Sequence, residues 1–415
     1  MRLSAQIKQA TMDYVVSGIR FVCENFKKRG PGTESERKAQ DYLAGELRQW
    51  ADEVTVEEFS LHPHAFMGFM PIAGVFMIIS VILFAVNGRY PTAAATIASA
   101  VLALFSVLMF ILEFMLYEEF IDFIFPMKKS KNVFAVRKPA GETKKRIVFG
   151  GHADAAWEWT FSLHGGKAAL APIIFGSILG MLFVFVTDII YLVMKMPQFN
   201  TAWTVISILQ LLTIPFCIAI LFFINWRVVV DGANDNLTAC YSSIAVLKEL
   251  AENDIRLENT EVCCIITGSE EAGLRGAKAF GKAHANELNK VETVMIPLET
   301  IREKEQLAVY NLDETGMVHN DESVCDLLIK AGRNVGIEMQ RAPIYPGSTD
   351  AAAFTKAGGK AAGLGGGNHD PQTYYHTRYD SWDNISEDCI KKAIEICLET
   401  AYLYDKEGLK KAEGN

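Results

Sequence analysis

The sequence predicts an α/β fold interrupted by two apolar helical hairpins, and three observations predict it. Short apolar runs, such as Val262 to Ile266, are followed by stretches that read as helices. Several of these runs end in a histidine or a carboxylate, at the strand ends where open α/β sheets build their sites. Four long uncharged segments come in two pairs, each joined by a short link.

The chain of 415 residues is long enough for one large α/β domain with additions. Half of it is hydrophobic and the mean hydropathy is +0.15, high for a soluble enzyme. The net charge of -9 gives no sign of a nucleic-acid partner. Eight cysteines without a CxxC pair fit free thiols in a reducing compartment better than a disulfide framework.

Residues 1–26 mix charges with apolar residues at helical spacing, so a first helix is expected there and no signal peptide. Arg29-Gly30-Pro31-Gly32-Thr33-Glu34-Ser35-Glu36 breaks it. Thr33 and Glu36 have the spacing of a capping box for a second helix, 34–50. Val54 to Phe59 alternates like a strand.

Residues 66–86 and 91–112 carry no charge, and Asn87-Gly88-Arg89-Tyr90 links them. A bilayer core needs about 20 apolar residues in a helix, so this is a spanning hairpin. A second follows: 168–187 is uncharged and runs past Asp188 to Met194, and 196–226 is uncharged, with its spanning part at 203–224. Tyr191, Trp203 and Trp226 stand near segment ends, as interface aromatics do. Four spans return the chain to its starting side. Arg48, Lys128, Lys129, Lys131, Lys167 and Arg227 flank that side, against Arg89 and Lys195 opposite. Positive flanks predict a cytoplasmic polar domain, in an integral membrane protein with the lipid bilayer as a partner.

The chemistry lies in the polar segments. Lys131 to Val136 and Arg146 to Gly150 read as strands, and the second ends in His152 and Asp154. A histidine with an acid two residues on suits a metal ligand and its orienting carboxylate. Asp235 lies just before a helix predicted over 237–252. Glu270 and Glu271 follow the strand at 262–266 and precede a helix at 276–285, and Glu299 ends the strand that begins at Val294. Later come Ser348-Thr349-Asp350, a glycine run at 363–367, and Tyr375, His376 and Asp380, again an imidazole near an acid. Nitrogen and oxygen donors without thiolate suit zinc, with Co2+ or Mn2+ as substitutes. One bridging carboxylate can hold two ions, and Glu270 is then spare for acid–base work.

The order HxD, GANDN, GSEEAGLRG, LE and YHTxxD resembles the co-catalytic di-zinc exopeptidases of metallopeptidase family 28, and RGPGTESE resembles their amino-terminal signature. The likeness covers residues 1–60 and 130–410. It implies a mixed twisted sheet flanked by helices, of the phosphorylase/hydrolase-like kind. It implies one discontinuous domain from 1–65, 118–167 and 227–415, with hairpins at 66–117 and 168–226. Carried over position by position, two Zn2+ ions are held by His152, Asp235, Glu271, Glu299 and His376, with Asp235 bridging. Asp154 orients His152, Glu270 is the general base, and Tyr375 stabilises the oxyanion. Asp380 supports the site from behind and Asp350 has no assigned role. Glu299 departs from the aspartate of many members. The implied activity is peptide hydrolysis, with an aminopeptidase the first reading. A non-catalytic receptor or scaffold, a glutaminyl cyclase and an N-acyl amino acid deacylase remain open, and the oligomeric state is undetermined.

Overall fold

The computed structural model describes residues 7–88, 90, 92–196, 198–288, 290–367 and 374–409. Arg89 in the link of the first hairpin and Pro197 in that of the second lie outside the described residues. The chain opens with helices α1 (Gln9–Asn25) and α2 (Glu34–Leu47). Thr33 Oγ1 caps α2 by accepting the Glu36 N–H at 3.2 Å. Glu36 does not close the box onto Thr33: its carboxylate accepts from Gly32 N–H at 2.7 Å and reaches across to Ser269, next to Glu270.

Strand β1 (Glu53–Leu61) leads into the first hairpin, α3 (Ala65–Asn87) and α4 (Ala93–Met109), the latter continued by a wider π turn over Phe110–Met115. The chain returns as β2 (Lys128–Arg137) and β3 (Lys145–His152). A short strand β4 (Trp157–Trp159) runs straight into α5 (Thr160–Val193), which kinks at Gly166. Helices α6 (Thr201–Leu211) and α7 (Ile214–Leu221) return, separated by a break just before Pro215. Strand β5 (Ile224–Val229) then pairs antiparallel with β4, so the second hairpin is closed at its foot by its own two-stranded ribbon.

The remainder alternates: α8 (Thr238–Glu252), β6 (Thr260–Thr267), α9 (Arg275–Leu288), β7 (Glu292–Ile301), β8 (Ala308–Asp313), β9 (Val318–His319), α10 (Glu322–Asn334), β10 (Gln340–Pro343), α11 (Asp350–Lys356), β11 (Lys360–Ala361), β12 (Gly363–Gly366) and α12 (Glu387–Glu407). The main sheet has the order β1-β2-β6-β3-β7-β12-β8-β10 and is mixed. β6, β3, β7 and β12 run parallel, and the β1/β2, β2/β6 and β12/β8 pairs are antiparallel. Every residue of β6 is buried, as its apolar run requires of a strand covered on both faces.

Alternate strand residues serve two cores. Ile147, Phe149, Cys264, Ile266, Val294 and Ile296 face the layer of α1, α2, α8, α10 and α12. Val148, Cys263, Ile265 and Met295 face α9, α11 and the foot of α3, where Ala65, Phe66, Phe69 and Met70 join the same core. The first hairpin is therefore rooted in the domain rather than tethered to it.

Among the described residues, four helical stretches are long and apolar enough to cross a membrane: Ala65–Asn87, Ala93–Met115, Thr160–Val193 and Thr201–Leu221. Small residues bring them close. A Cβ at Gly74 would meet Ile220 and Leu221, and one at Gly176 would meet the Phe216 ring. A polar node lies buried at their centre. Asp188 of α5 accepts from Ser99 of α4, from Ser80 of α3 at 3.4 Å and from Gln210 of α6 at 3.0 Å.

Candidate metal centre

The carboxyl ends of β3, β6 and β7 meet under the amino terminus of α8. His152 is the last residue of β3 and stands in register with Thr267, the last of β6. Gly151 just before it lets α8 approach, since a Cβ there would lie 2.6 Å from the Ala239 Cβ. Gly232 adopts φ +58 and turns the chain into residues 233–237, which carry Asp235 into the cleft before α8 begins. Ser269, at φ +53, opens the single 3-10 turn that presents Glu270 and Glu271.

The sequence-predicted ligands converge. His152 Nε2 is 3.1 Å from Asp235 Oδ1, and His376 Nε2 is 3.1 Å from Asp235 Oδ2 and 3.0 Å from Glu271 Oε1. Three donor groups each lie within 4.8 Å: His152, Asp235 and Glu299; Asp235, Glu271 and His376; and His152, Glu270 and Glu271. Glu299 is oriented by Asn236 Nδ2, which donates to it at 3.1 Å, and by Thr300 Oγ1 at 2.9 Å.

This donor set fits metal ions. Buried Asp235 Oδ2 and Glu271 Oε1 share one imidazole nitrogen, His376 Nε2, and His376 Nδ1 makes no hydrogen bond among the described residues. Orphaned buried polar atoms are costly unless something else satisfies them. Four carboxylates, those of Asp235, Glu270, Glu271 and Glu299, face two imidazoles. Burial alone would drop both histidine pKa values, yet the carboxylates outweigh it. Glu270, Asp154 and Asp235 hold His152 well above its usual range, and Glu271 and Asp235 push His376 up to about 10. Burial, and then the charges of Glu271, Glu299 and Asp350, raise Glu270 despite the opposing His152. A pocket this negative favours cations.

The supporting residues differ in part from what the sequence suggests. Asp154 does lie beside His152, with Oδ1 3.3 Å from Nδ1. It also accepts the backbone N–H groups of Glu270 and Glu271, each at 3.0 Å, and so grips the carboxylate pair itself. Asp380 does not serve the imidazole of His376. It accepts from Asn234 N at 2.7 Å, Asn234 Nδ2 at 2.9 Å and Asp235 N at 3.1 Å, and fixes the turn that carries Asp235. Burial and the Asp235 charge push its carboxyl up to about 7. Tyr375 stacks on His376 at 3.9 Å, and burial, then Asp235 and Glu271, keep its phenol well above the usual range. Asp350 accepts from Thr267 Oγ1 at 2.5 Å behind the strand end.

Three participants escape a reading of the sequence. Glu36 accepts Ser269 N at 2.7 Å and Ser269 Oγ at 2.9 Å, which fixes the left-handed residue before Glu270. Buried Arg29 donates to the carbonyls of Ala153 at 3.0 Å and Asp231 at 2.7 Å, tying the two ligand loops together. Trp159 donates its backbone N–H to the His376 carbonyl at 2.8 Å and sets its ring edge-on to the imidazole at 4.5 Å. The RGPGTESE stretch is the only sequence signal for the first two, and it names no partner.

The family model for peptidase family M28 matches residues 222–401. Over these 180 of its 415 residues the chain is similar to peptidase family M28. The M28 segment contains Asp235, Glu270, Glu271, Glu299 and His376; His152 and Asp154 precede it. No curated protein sequence matches the chain. Solved structures share the fold. An aminopeptidase from Aneurinibacillus sp. strain AM-1 is 13% identical, with 97% of this chain and 95% of that one covered and a TM-score of 0.56. A zinc aminopeptidase from Bacillus subtilis is 14% identical, with 97% and 96% covered and a TM-score of 0.55. A glutaminyl cyclase from Bacteroides thetaiotaomicron is 13% identical, with 94% and 97% covered and a TM-score of 0.54. The M28 match supports a metallopeptidase in broad class, and the solved structures share the mixed α/β fold.

Proposed function

We propose that this chain is a membrane-anchored di-zinc exopeptidase, an aminopeptidase that removes N-terminal residues from peptides. Asp235 carries the reading: one of its oxygens faces His152 and the other His376, so a single carboxylate is common to two donor groups. In this reading His152, Asp235 and Glu299 hold one zinc ion, and Asp235, Glu271 and His376 hold the second; Co2+ or Mn2+ suit the same donors. When bound, such ions polarise a scissile carbonyl and lower the pKa of water. Glu270 is left out of both of these ligand sets, with Oε2 3.7 Å from His152 Nε2. A carboxylate in that position can take a proton from water and return it to the leaving amine. Tyr375, kept protonated, donates its O–H to the developing oxyanion. Asp154 holds the backbone that aims Glu270. In this reading the four apolar helices anchor the domain, and the basic flanks support a cytoplasmic side.

The test is metal content together with a peptide screen. Two zinc ions per chain and release of N-terminal residues from free-ended peptides are expected. Glu270→Gln should keep the metal and lose on the order of 100-fold or more in kcat. Cyclisation of N-terminal glutamine, deacylation of N-acyl amino acids or cleavage at the carboxyl end would replace the aminopeptidase reading. Metal-free protein without turnover would favour a scaffold.

A further inference from the structure

Both hairpins are bolted to the loops that carry the site. At the first, Phe66, the second residue of α3, closes on Gly273 of the Glu270–Glu271 loop, where a Cβ would lie 3.0 Å from the Phe66 ring. Just beyond the second span, Asp122 and Glu119 hold the Arg275 guanidinium at 2.7 to 2.9 Å, and the Leu116 carbonyl accepts from Lys356 at 3.0 Å. At the second hairpin, Trp159 packs on His376, and the next residue, Thr160, begins α5. Phe223 packs against Trp159 at 5.1 Å, and its neighbour Phe222, at the end of the fourth span, is 63% exposed. Trp159 and Phe223 therefore join a histidine of the site to the foot of the fourth span, where exposed Phe222 precedes Phe223 in the chain.

The apolar belt begins close by. On α3 the first strongly exposed apolar side chain is Val75, nine residues after Phe66 and about 14 Å along the helix. Off the helices, Phe123, Ile124 and Met127 stand exposed beside the Arg275 clamp, next to Lys128 and Lys129. Exposed apolar tips beside lysines suit the headgroup region of a bilayer. Among the described residues, Glu270, Glu299, Tyr375 and Trp159 around the cluster keep some exposure, and Trp159 is the one that roots α5.

We infer that the cleft opens at the bilayer surface and takes peptides whose free amino end lies there, held by an apolar or lipid-anchored segment. This rests on the membrane-anchored peptidase reading. Trp159 and Tyr375 form the apolar wall that such a segment meets, and a soluble peptide of the same sequence gains nothing from the bilayer.

The test uses the full chain in vesicles of phosphatidylethanolamine and phosphatidylglycerol. One peptide is offered soluble, tethered to lipid at its carboxyl end by three residues, and tethered by twenty flexible residues. Three residues reach only about 10 Å from the membrane, whereas twenty sample about 25 Å. The short tether should be cut with kcat/KM about tenfold or more above the soluble peptide, the scale on which a hydrophobic pocket feels one added apolar group. Cleavage of the long tether with none of the short would overturn the inference, as would equal kcat/KM for the soluble and short-tethered forms. A second readout needs no turnover. The eight native cysteines are buried, so a fluorophore can be placed on Tyr379→Cys, three residues past His376, or on Lys406→Cys near the opposite strand ends. Headgroup-level quencher lipids should quench the first and spare the second; the reverse overturns the inference. If no peptide is cut in any form, the peptidase reading fails, and the quenching alone still decides where the cleft lies.

Discussion

Asp154 offers the sharpest test of how the site is built. It is fully buried, and both its oxygens accept a backbone N–H from the carboxylate pair at 3.0 Å. In Asp154→Asn one oxygen remains and the amide NH2 must face the other N–H, donor against donor. A hydrogen bond to a charged group contributes about 1.5–3 kcal/mol, and an unpaired buried donor costs about 1–3 kcal/mol. Taking about 3 kcal/mol as the net loss, and assigning it to the loop's hold on its working position, kcat should fall on the order of 100-fold. Zinc affinity should fall about 10- to 100-fold, because Glu271 rides on the same loop and His152 loses its orienting acid. Stopped assays on zinc-saturated enzyme give the first quantity and chelator competition gives the second. An Asp154→Asn enzyme with unchanged kcat and unchanged zinc affinity would refute the reasoning, since nothing else among the described residues holds those two N–H groups.

Three further perturbations probe other parts. Glu36→Ala leaves the Ser269 and Gly32 N–H groups without their acceptor, and kcat should drop about tenfold or more, the scale of one buried donor left unpaired, while zinc content stays near normal. Asp188→Ala removes the acceptor shared by Ser80, Ser99 and Gln210, and should cost about 2 kcal/mol in the helical bundle, read as a lower Tm in detergent with Asp188→Asn in between. Asp52, paired with both Arg256 Nη atoms at 2.7 Å, is held down at about 2 by that hydrogen-bonded pair. Its contribution is present above the unfolded carboxyl value near 4 and is lost as pH falls through about 2. Asp52→Asn should therefore lower stability by about 1 kcal/mol at pH 7, allowing for solvent screening, and the gap to the parent should close between pH 4 and pH 2 in thermal scans.

The parts of this molecule that were legible in the sequence are those decided by local chemistry. Val262 to Ile266 reads as a buried strand and is one, and the donors of the site stand at element ends, where strands deliver side chains to a cleft. The uncharged runs mark the apolar helices, but counting charges misplaces their ends. Glu158 and Lys167 hide the start of α5 at Thr160, and Pro215 divides the last span into α6 and α7 without any charge to announce it. Roles set by tertiary distance were out of reach. Asp380 follows His376 by four positions yet serves the Asp235 turn, and Glu36 finds Ser269 across 233 positions. The strand β12 hides in a glycine run, because its glycines answer to the Tyr310 ring, which a Cβ at Gly365 would meet at 2.2 Å.

The separation of His152 and Asp235 bears on how the molecule is made. A separation of 83 positions in sequence is closed to 3.1 Å in space, and the whole second hairpin occupies the interval. A ribosome releases His152 first, then α5, α6 and α7, and Asp235 only after them. A nascent or truncated chain that stops within the hairpin carries an imidazole, an acid and no shared carboxylate. The complete donor set exists only once the chain has gone out and come back, closed by the β4 and β5 ribbon at the foot. The hairpin is thus finished before the shared carboxylate exists, and Glu271, Glu299 and His376 follow later still in the chain.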